Sequence, residues 1–420
     1  MVKSGVKLFT HQQQAIEQTR GKNRVAYYLE MGLGKTFVST EKAEEFDENI
    51  IVLVCQKSKL EDWRDHYRQF YPQYNTIIYK KKLDEIPPKT VIIINYDLIW
   101  RREEFKKLRN FTLILDESSY IKNDTSKRTK FILKLKPTNV ILLSGTPVGG
   151  KYEELYSQLK LLGWSISKST YWDTYIKYIK RDVGGFKIKQ VTGYKNVERL
   201  KRKLREHGAV FMKTEDVIEL PETIDYTVNV KNIKEYKQFK KDRIVTIEGV
   251  ELVGDTTLTA MLYQRQLAGM YNRNKYDKVL ELLESTEDRI IIFYNFKHER
   301  EELEKICKKI NKPVSRVDGE TRDLNNYERL ENTVTLIQYQ AGSMGLNLQK
   351  SNKIIYFSLP LSSELFEQSK KRTHRMGQDR SCFYYYLITE KSIEVDILKT
   401  LRLRKDYTDE LFKDGQEREI

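Results

Sequence analysis

The sequence predicts an α/β protein with two units, each a parallel β-sheet covered by helices, and a mostly helical section between them. Three features of the chain point there. Short, continuously apolar runs of strand formers recur between turn residues. They alternate with stretches whose apolar residues fall at helical spacing. Both patterns stop near residue 150 and resume near residue 288. Strands that are apolar throughout, with no alternation, are buried on both faces, as parallel sheets require.

Taken in order, "NIIVLVCQ" (49–56) reads as the first buried strand of this kind. Leu60, Trp63, Tyr67 and Phe70 then make a helical stripe. "VIIINY" (91–96), "FTLILDE" (111–117) and "NVILLSGT" (139–146) continue the sheet. From there to about residue 275 charged helical stretches dominate. Val197, Leu200 and Leu204 form a stripe that Gly208 would stop, and "ELPE" (219–222) breaks the pattern again. Beyond Asp288 the strands "RIIIFYNF", "VTLIQYQ", "KIIYFSL" and "CFYYYLIT" follow. The expected division is 1–150 as the first unit, a mostly helical section 151–275 that completes the first unit and forms protrusions and linker, and 276–420 as the second unit.

At 420 residues the chain exceeds one typical domain. Its hydrophobic content is only 39%, but 27 tyrosines supply core material, which excludes a disordered chain. No run approaches the 18 or so apolar residues of a membrane helix. The first residues, "MVKSGVKLFTHQQQ", lack an apolar signal region, so a cytoplasmic protein is expected. Cys55, Cys307 and Cys382 are far apart, without metal-ligand spacing. The net charge of +15 favours a polyanionic partner, of which nucleic acid is the commonest. A lysine-rich surface that only aids solubility is the plainer alternative.

Four stretches carry chemistry. In "YYLEMGLGKT" (27–36) a strand enters a glycine turn that ends in Gly34, Lys35 and Thr36. Such a turn aims backbone N–H groups and a helix N-terminus at phosphate oxygens. Lys35 would reach the β and γ phosphates, and the Thr36 hydroxyl would hold Mg2+. The phosphate-loop pattern sets another glycine where Leu29 stands, and the triplet alone is equally a plain turn. In "LDESSYIKN", Asp116 at the strand end suits Mg2+, and Glu117 suits the attacking water. Read alone, this pair is an ordinary strand exit. "LLSGTPVGG" (142–150) brings Ser144 and Thr146 to a third strand end, where open α/β sheets bind ligands. Far downstream, "EQSKKRTHRMGQDR" (367–380) holds Arg372 and Arg375 three apart, on one face if helical. An arginine acting on the γ-phosphate is worth about 10³–10⁵ in rate.

In this order and spacing the pieces resemble the core of a superfamily 2 helicase of the Snf2 type, over nearly the whole chain. "LFTHQQQAI" resembles the Q-motif and "EMGLGKT" motif I, which in this superfamily often lacks the early glycine. "VLVCQKSKLEDW" resembles motif Ia and "INYDLI" motif Ib. "LDESSYIKN" is similar to motif II, with Ser119 in place of the usual histidine and the Ile121-Lys122-Asn123 tail intact. "LSGTPVGG" is similar to motif III, although Val148-Gly149-Gly150 departs from Ile-Gln-Asn. "IIIFYNF" and "RVDGET" resemble motif IV and the element after it, and "YQAGSMGLNLQ" motif V. Motif VI is matched by Gln368, Arg372, His374, Arg375, Gly377 and Gln378. The stretch 193–222 looks like that of compact phage-encoded members, which would place the protein in a host cytoplasm.

The resemblance implies two RecA-like lobes with ATP in the cleft. One lobe would bring Gln12 (on the adenine), Gly32, Gly34, Lys35, Thr36, Asp116 and Glu117. The other would bring Gly345, Gln368, Arg372 and Arg375. Ser144 and Thr146 would couple nucleotide state to movement. The partner implied is DNA, double-stranded, translocated without strand separation. The contacts would go to phosphates, from Lys57, Lys59, Lys122 and Gln340. Ser118 and Ser119 stand where the family couples nucleotide state to DNA, so chemistry should survive there better than coupling. A monomer is the default expectation. An RNA-stimulated ATPase and a DNA-binding module without hydrolysis are the rival functions.

Overall fold

The computed structural model describes residues 6–83, 85–183, 186–342 and 346–412. Its backbone divides into two compact units, Met1–Val217 with Asp406–Ile420, and Ile218–Lys405.

The first unit is built on β1 (Arg24–Leu29), β2 (Ile50–Cys55), β3 (Asn75–Ile78), β4 (Thr90–Asn95), β5 (Thr112–Asp116) and β6 (Asn139–Leu143). After them come β7 (Ile176–Val183), β8 (Phe186–Tyr194) and β9 (Ala209–Met212). Seven strands form one sheet in the order β3-β4-β2-β5-β6-β1-β9, every pair parallel. The apolar residues of β1, β2, β5 and β6 are buried almost without exception, which is why these runs do not alternate. Each such side chain contributes about 1.5–3 kcal/mol on burial. Because the strands are parallel, their carboxyl ends share one edge. Strand order sets the loops after β2, β5, β6 and β1 side by side there.

The second unit adds β10 (Thr223–Val230), β11 (Ile244–Ile247), β12 (Val250–Val253), β13 (Ile290–Tyr294), β14 (Val314–Val317), β15 (Arg322–Asp323), β16 (Val334–Gln338), β17 (Lys353–Tyr356) and β18 (Cys382–Thr389). Its sheet runs β10-β18-β17-β13-β16-β14-β15, antiparallel only between β14 and β15. Lys275 and Glu394, both buried, pair at 2.5 Å within this unit.

The section from 151 to 275 is not mostly helical, as its sequence suggests; it holds six strands, β7 to β12. The unit boundary falls at Val217 and not near residue 275, because β9 closes the first sheet and β10 opens the second. These strands escape sequence reading because they are edges or free ribbons. β7 and β8 pair antiparallel as a ribbon by themselves, and most of their described side chains face solvent. Solvent-facing strands need no continuous apolar run. The base of the ribbon is anchored through buried Tyr175 and Ile176 and half-buried Tyr178, Val191 and Tyr194.

Candidate nucleotide site

Between β1 and helix α2 (Lys35–Phe46) the chain turns through Gly32 and Gly34, with φ of +93° and +72°. Both glycines supply a left-handed backbone at no steric cost. Gly34 is constrained twice, since a Cβ there would lie 2.1 Å from Gln12 Nε2. Gln12 itself is buried on helix α1 (Thr10–Glu17), where its Oε1 accepts from Phe9 N–H at 2.9 Å and its Nε2 donates to the Leu33 carbonyl at 3.3 Å. The His11 ring nitrogen Nε2 meets the same carbonyl at 3.1 Å. Two adjacent residues of α1 thus hold the glycine turn. Lys35 Nζ donates back across the turn, to the Leu29 carbonyl at 2.8 Å and that of Glu30 at 3.2 Å. Thr36 is half-buried in the first turn of α2.

Asp116 ends β5, and its Oδ2 accepts from the indole N–H of Trp63 at 2.8 Å. Trp63 lies on helix α3 (Leu60–Phe70). Burial raises the Asp116 carboxyl above the ordinary carboxylate range, and the Trp63 bond and the charges of Lys35 and Lys59 oppose that rise. The hydroxyl of Tyr96 donates to the Asp116 backbone carbonyl at 3.0 Å. Glu117 then takes φ +58°, a left-handed conformation that is uncommon for a residue with a side chain. Its Oε1 accepts from Ser144 Oγ at 2.5 Å and from Ser119 Oγ at 3.3 Å. Ser144 Oγ in turn accepts from Thr146 N–H at 3.1 Å. The loop after β6 also lies against the glycine turn, since a Cβ on Gly145 would stand 3.5 Å from Lys35 Nζ. Ser118 points elsewhere and donates to Gln158 Oε1 at 2.8 Å. Buried Gln158 also accepts from Tyr28 OH at 2.9 Å and donates to the Pro147 carbonyl at 2.8 Å, tying β1 to the loops after β5 and β6.

The second unit differs from expectation at its arginines. The helix Ser363–Lys370 ends before Arg372, and the chain beyond it turns, so Arg372 and Arg375 do not share a helix face. Arg372 is buried, 2% exposed, with Nη1 3.5 Å from the Leu346 carbonyl. Arg375 is half-buried and donates to Asn347 Oδ1. Gln368 is buried on the helix, and Gly345 lies outside the described residues. His374 Nε2 meets the Pro221 carbonyl at 2.8 Å.

Family models cover most of this chain. The SNF2-related domain matches residues 27–285, and the helicase conserved C-terminal domain matches residues 274–377. The chain belongs to the SNF2-related family. Among SNF2-related relatives, it is 24% identical to the ISWI chromatin-remodeling complex ATPase ISW1 of Saccharomyces cerevisiae, over 92% of this chain and 39% of that protein. It is 25% identical to an uncharacterized ATP-dependent helicase of Mycoplasma pneumoniae, over 92% of this chain and 40% of that one. The chain therefore spans about two-fifths of the length of these relatives. The Sulfolobus solfataricus SWI2/SNF2 ATPase core in complex with dsDNA is a similar structure, at 20% identity and TM-score 0.47, over 96% of this chain and 92% of that one. Each unit contributes one sheet, and these are the two lobes of the core.

Within this SNF2-related core the first lobe brings Gln12, Gly34, Lys35, Asp116, Glu117, Ser144 and Thr146 into one connected set. The expected nucleic-acid residues are more scattered. Lys57 is exposed in the single turn Lys57–Lys59 ahead of α3, while Lys59 pairs with Asp62 at 2.7 Å. Lys122 lies 3.8 Å from Glu154, and Gln340 is exposed in the short helix Tyr339–Gly342. Sequence reading misses Trp63, Tyr96 and Gln158. Spacing marks Trp63 as helix stripe only, although an indole pairs an apolar body with a polar handle that seeks a partner when buried. The residues present fit a nucleotide with Mg2+. The turn takes a left-handed backbone at Gly32 and Gly34, and one carboxylate plus one hydroxyl is a donor set that Mg2+ completes with phosphate oxygens. No helix among the described residues is long and apolar enough to cross a membrane.

Proposed function

We propose that this chain is a DNA-stimulated ATPase that moves along duplex DNA without separating its strands. The observation that carries the reading is the Ser144–Glu117 bond, 2.5 Å long, beside Asp116 and the Lys35 turn. It joins a candidate base to the loop that lies against Lys35. Hydrolysis needs such a base aimed at water, a cation on the phosphates and a metal carboxylate. Lys35 would neutralise phosphate charge, Gln12 would read the base, and Thr36 and Asp116 would hold Mg2+, which when bound offsets charge on the transferred phosphoryl. Glu117 would orient the water and take its proton. Of the two arginines, Arg375 suits the γ-phosphate better, because Arg372 is turned into its own unit.

Relatives whose names include chromatin-remodeling ATPases support DNA as the partner. So does the β7–β8 ribbon, which exposes Lys177, Lys180, Arg181, Lys187 and Lys189. Among the described residues these five enter no ion pair. A two-stranded ribbon is narrow enough for the duplex major groove.

The test is ATP hydrolysis by the purified chain alone and with duplex DNA, single-stranded DNA or RNA, with Lys35→Ala as blank. Strong stimulation by duplex is expected, and triplex displacement should follow. Stimulation by RNA alone would replace the DNA reading. Nucleotide binding without turnover on any substrate would leave a binding module.

A further inference from the structure

Helix α3 enters the site by a single atom. Its first turn follows directly on the turn that carries Lys57 and Lys59, and Trp63 lies one helical turn further on. The Trp63 ring is only 4% exposed. It packs edge-on to His66, centroids 5.8 Å apart, and lies tilted 6.3 Å from the ring of fully buried Tyr67. From that fixed ring the indole N–H reaches Asp116 Oδ2 at 2.8 Å. An indole N–H only donates, so this bond holds the Oδ2 oxygen of the carboxylate against the ring. Asp116 belongs to β5 and α3 follows β2, so this bond crosses between neighbouring strands of the sheet. Lys59 lies near enough for its charge to act on Asp116.

We propose that Trp63 is the positioning residue for Asp116, and that through it the turn bearing Lys57 and Lys59 is coupled to the metal carboxylate. A DNA phosphate drawn to that turn shifts the start of α3, and the indole carries the shift to Asp116 with no flexible side chain between. The inference rests on the proposed function, in which Asp116 serves Mg2+ and the Lys57–Lys59 turn meets DNA.

The experiment uses Trp63→Phe and, to keep the ring shape while removing only the N–H, benzothienylalanine at position 63. Equilibrium binding of a fluorescent ATP analogue is titrated with Mg2+ and repeated in EDTA. The ratio of ATPase rates with and without duplex DNA is then measured at saturating Mg2+. Expected are unchanged binding in EDTA, a rise in Mg2+ half-saturation of about 10- to 100-fold as for lost outer-shell partners of metal ligands, and a smaller DNA stimulation ratio. Unchanged Mg2+ half-saturation with benzothienylalanine overturns the inference and leaves the proposed function standing. A Mg2+ shift with undiminished DNA stimulation overturns the coupling alone. Failure of the unaltered chain to respond to DNA would defeat the proposed function, while the Mg2+ titration still judges the positioning role.

Discussion

At the scale of single residues, Glu117 and Ser144 bear the sharpest expectations. Glu117 is held in an uncommon left-handed backbone, and its Oε1 receives two serine hydroxyls. Ser119, two residues beyond Glu117, reaches its carboxylate with its hydroxyl at 3.3 Å. The shorter bond from Ser144 should matter more. A hydrogen bond to a charged group contributes about 1.5–3 kcal/mol, so Ser144→Ala should lower turnover about 10- to 100-fold. Ser119→Ala should change it much less. Glu117→Gln should keep ATP affinity and lose about 10²–10⁴ in rate, as removal of a general base does. Single-turnover hydrolysis alongside nucleotide binding measures all three; full turnover by Glu117→Gln would discard its role.

At the scale of elements, the ribbon β7–β8 departs most from what the chain suggests. Its charges alternate with Ile179 and Ile188, both exposed, and Lys189 Nζ lies 4.2 Å from the Tyr178 ring centroid. Such an element buries too little to stabilise itself. Its stability must come from Tyr175, Ile176 and Tyr194 at the base, so charge changes on its body should leave the fold intact. Replacing Lys180, Lys187 and Lys189 together by serine should weaken duplex binding. It should also flatten the salt dependence of binding by about 0.9 log units per log salt for each phosphate no longer neutralised. DNA binding titrated across salt concentrations decides this, and an unaltered slope would release the ribbon from DNA.

At the scale of the whole molecule, the residues named for the proposed reaction are divided between the two units. The first holds Lys35, Asp116 and Glu117, and the second holds Arg375. Arg375→Ala should therefore leave ATP binding intact while lowering hydrolysis by about 10³–10⁵, the worth of an arginine on the transferred phosphoryl group. Equal rates for the altered and unaltered chains would confine the chemistry to the first unit. The net charge of +15 belongs to this scale too, because it favours DNA association at low salt whatever individual side chains do.

The sequence by itself determined the buried strands and the chemistry at their ends. Continuous apolar runs such as Ile50–Cys55 and Thr112–Asp116 report burial on both faces, and a run that stops at Asp116 or at the Gly34 turn marks a sheet edge. The tertiary structure alone decided which ends meet. Strand order sets β2 beside β5 and β6 beside β1, and this brings Trp63 to Asp116, Ser144 to Glu117 and Gln158 to Tyr28. It also decided where polar strands lie, since β7, β8 and β10 face water and leave no apolar signature, and it turned Arg372 inward beyond the end of its helix. The reason is range: periodicity records how one segment meets solvent, whereas a hydrogen bond across 53 residues exists only once the sheet has assembled.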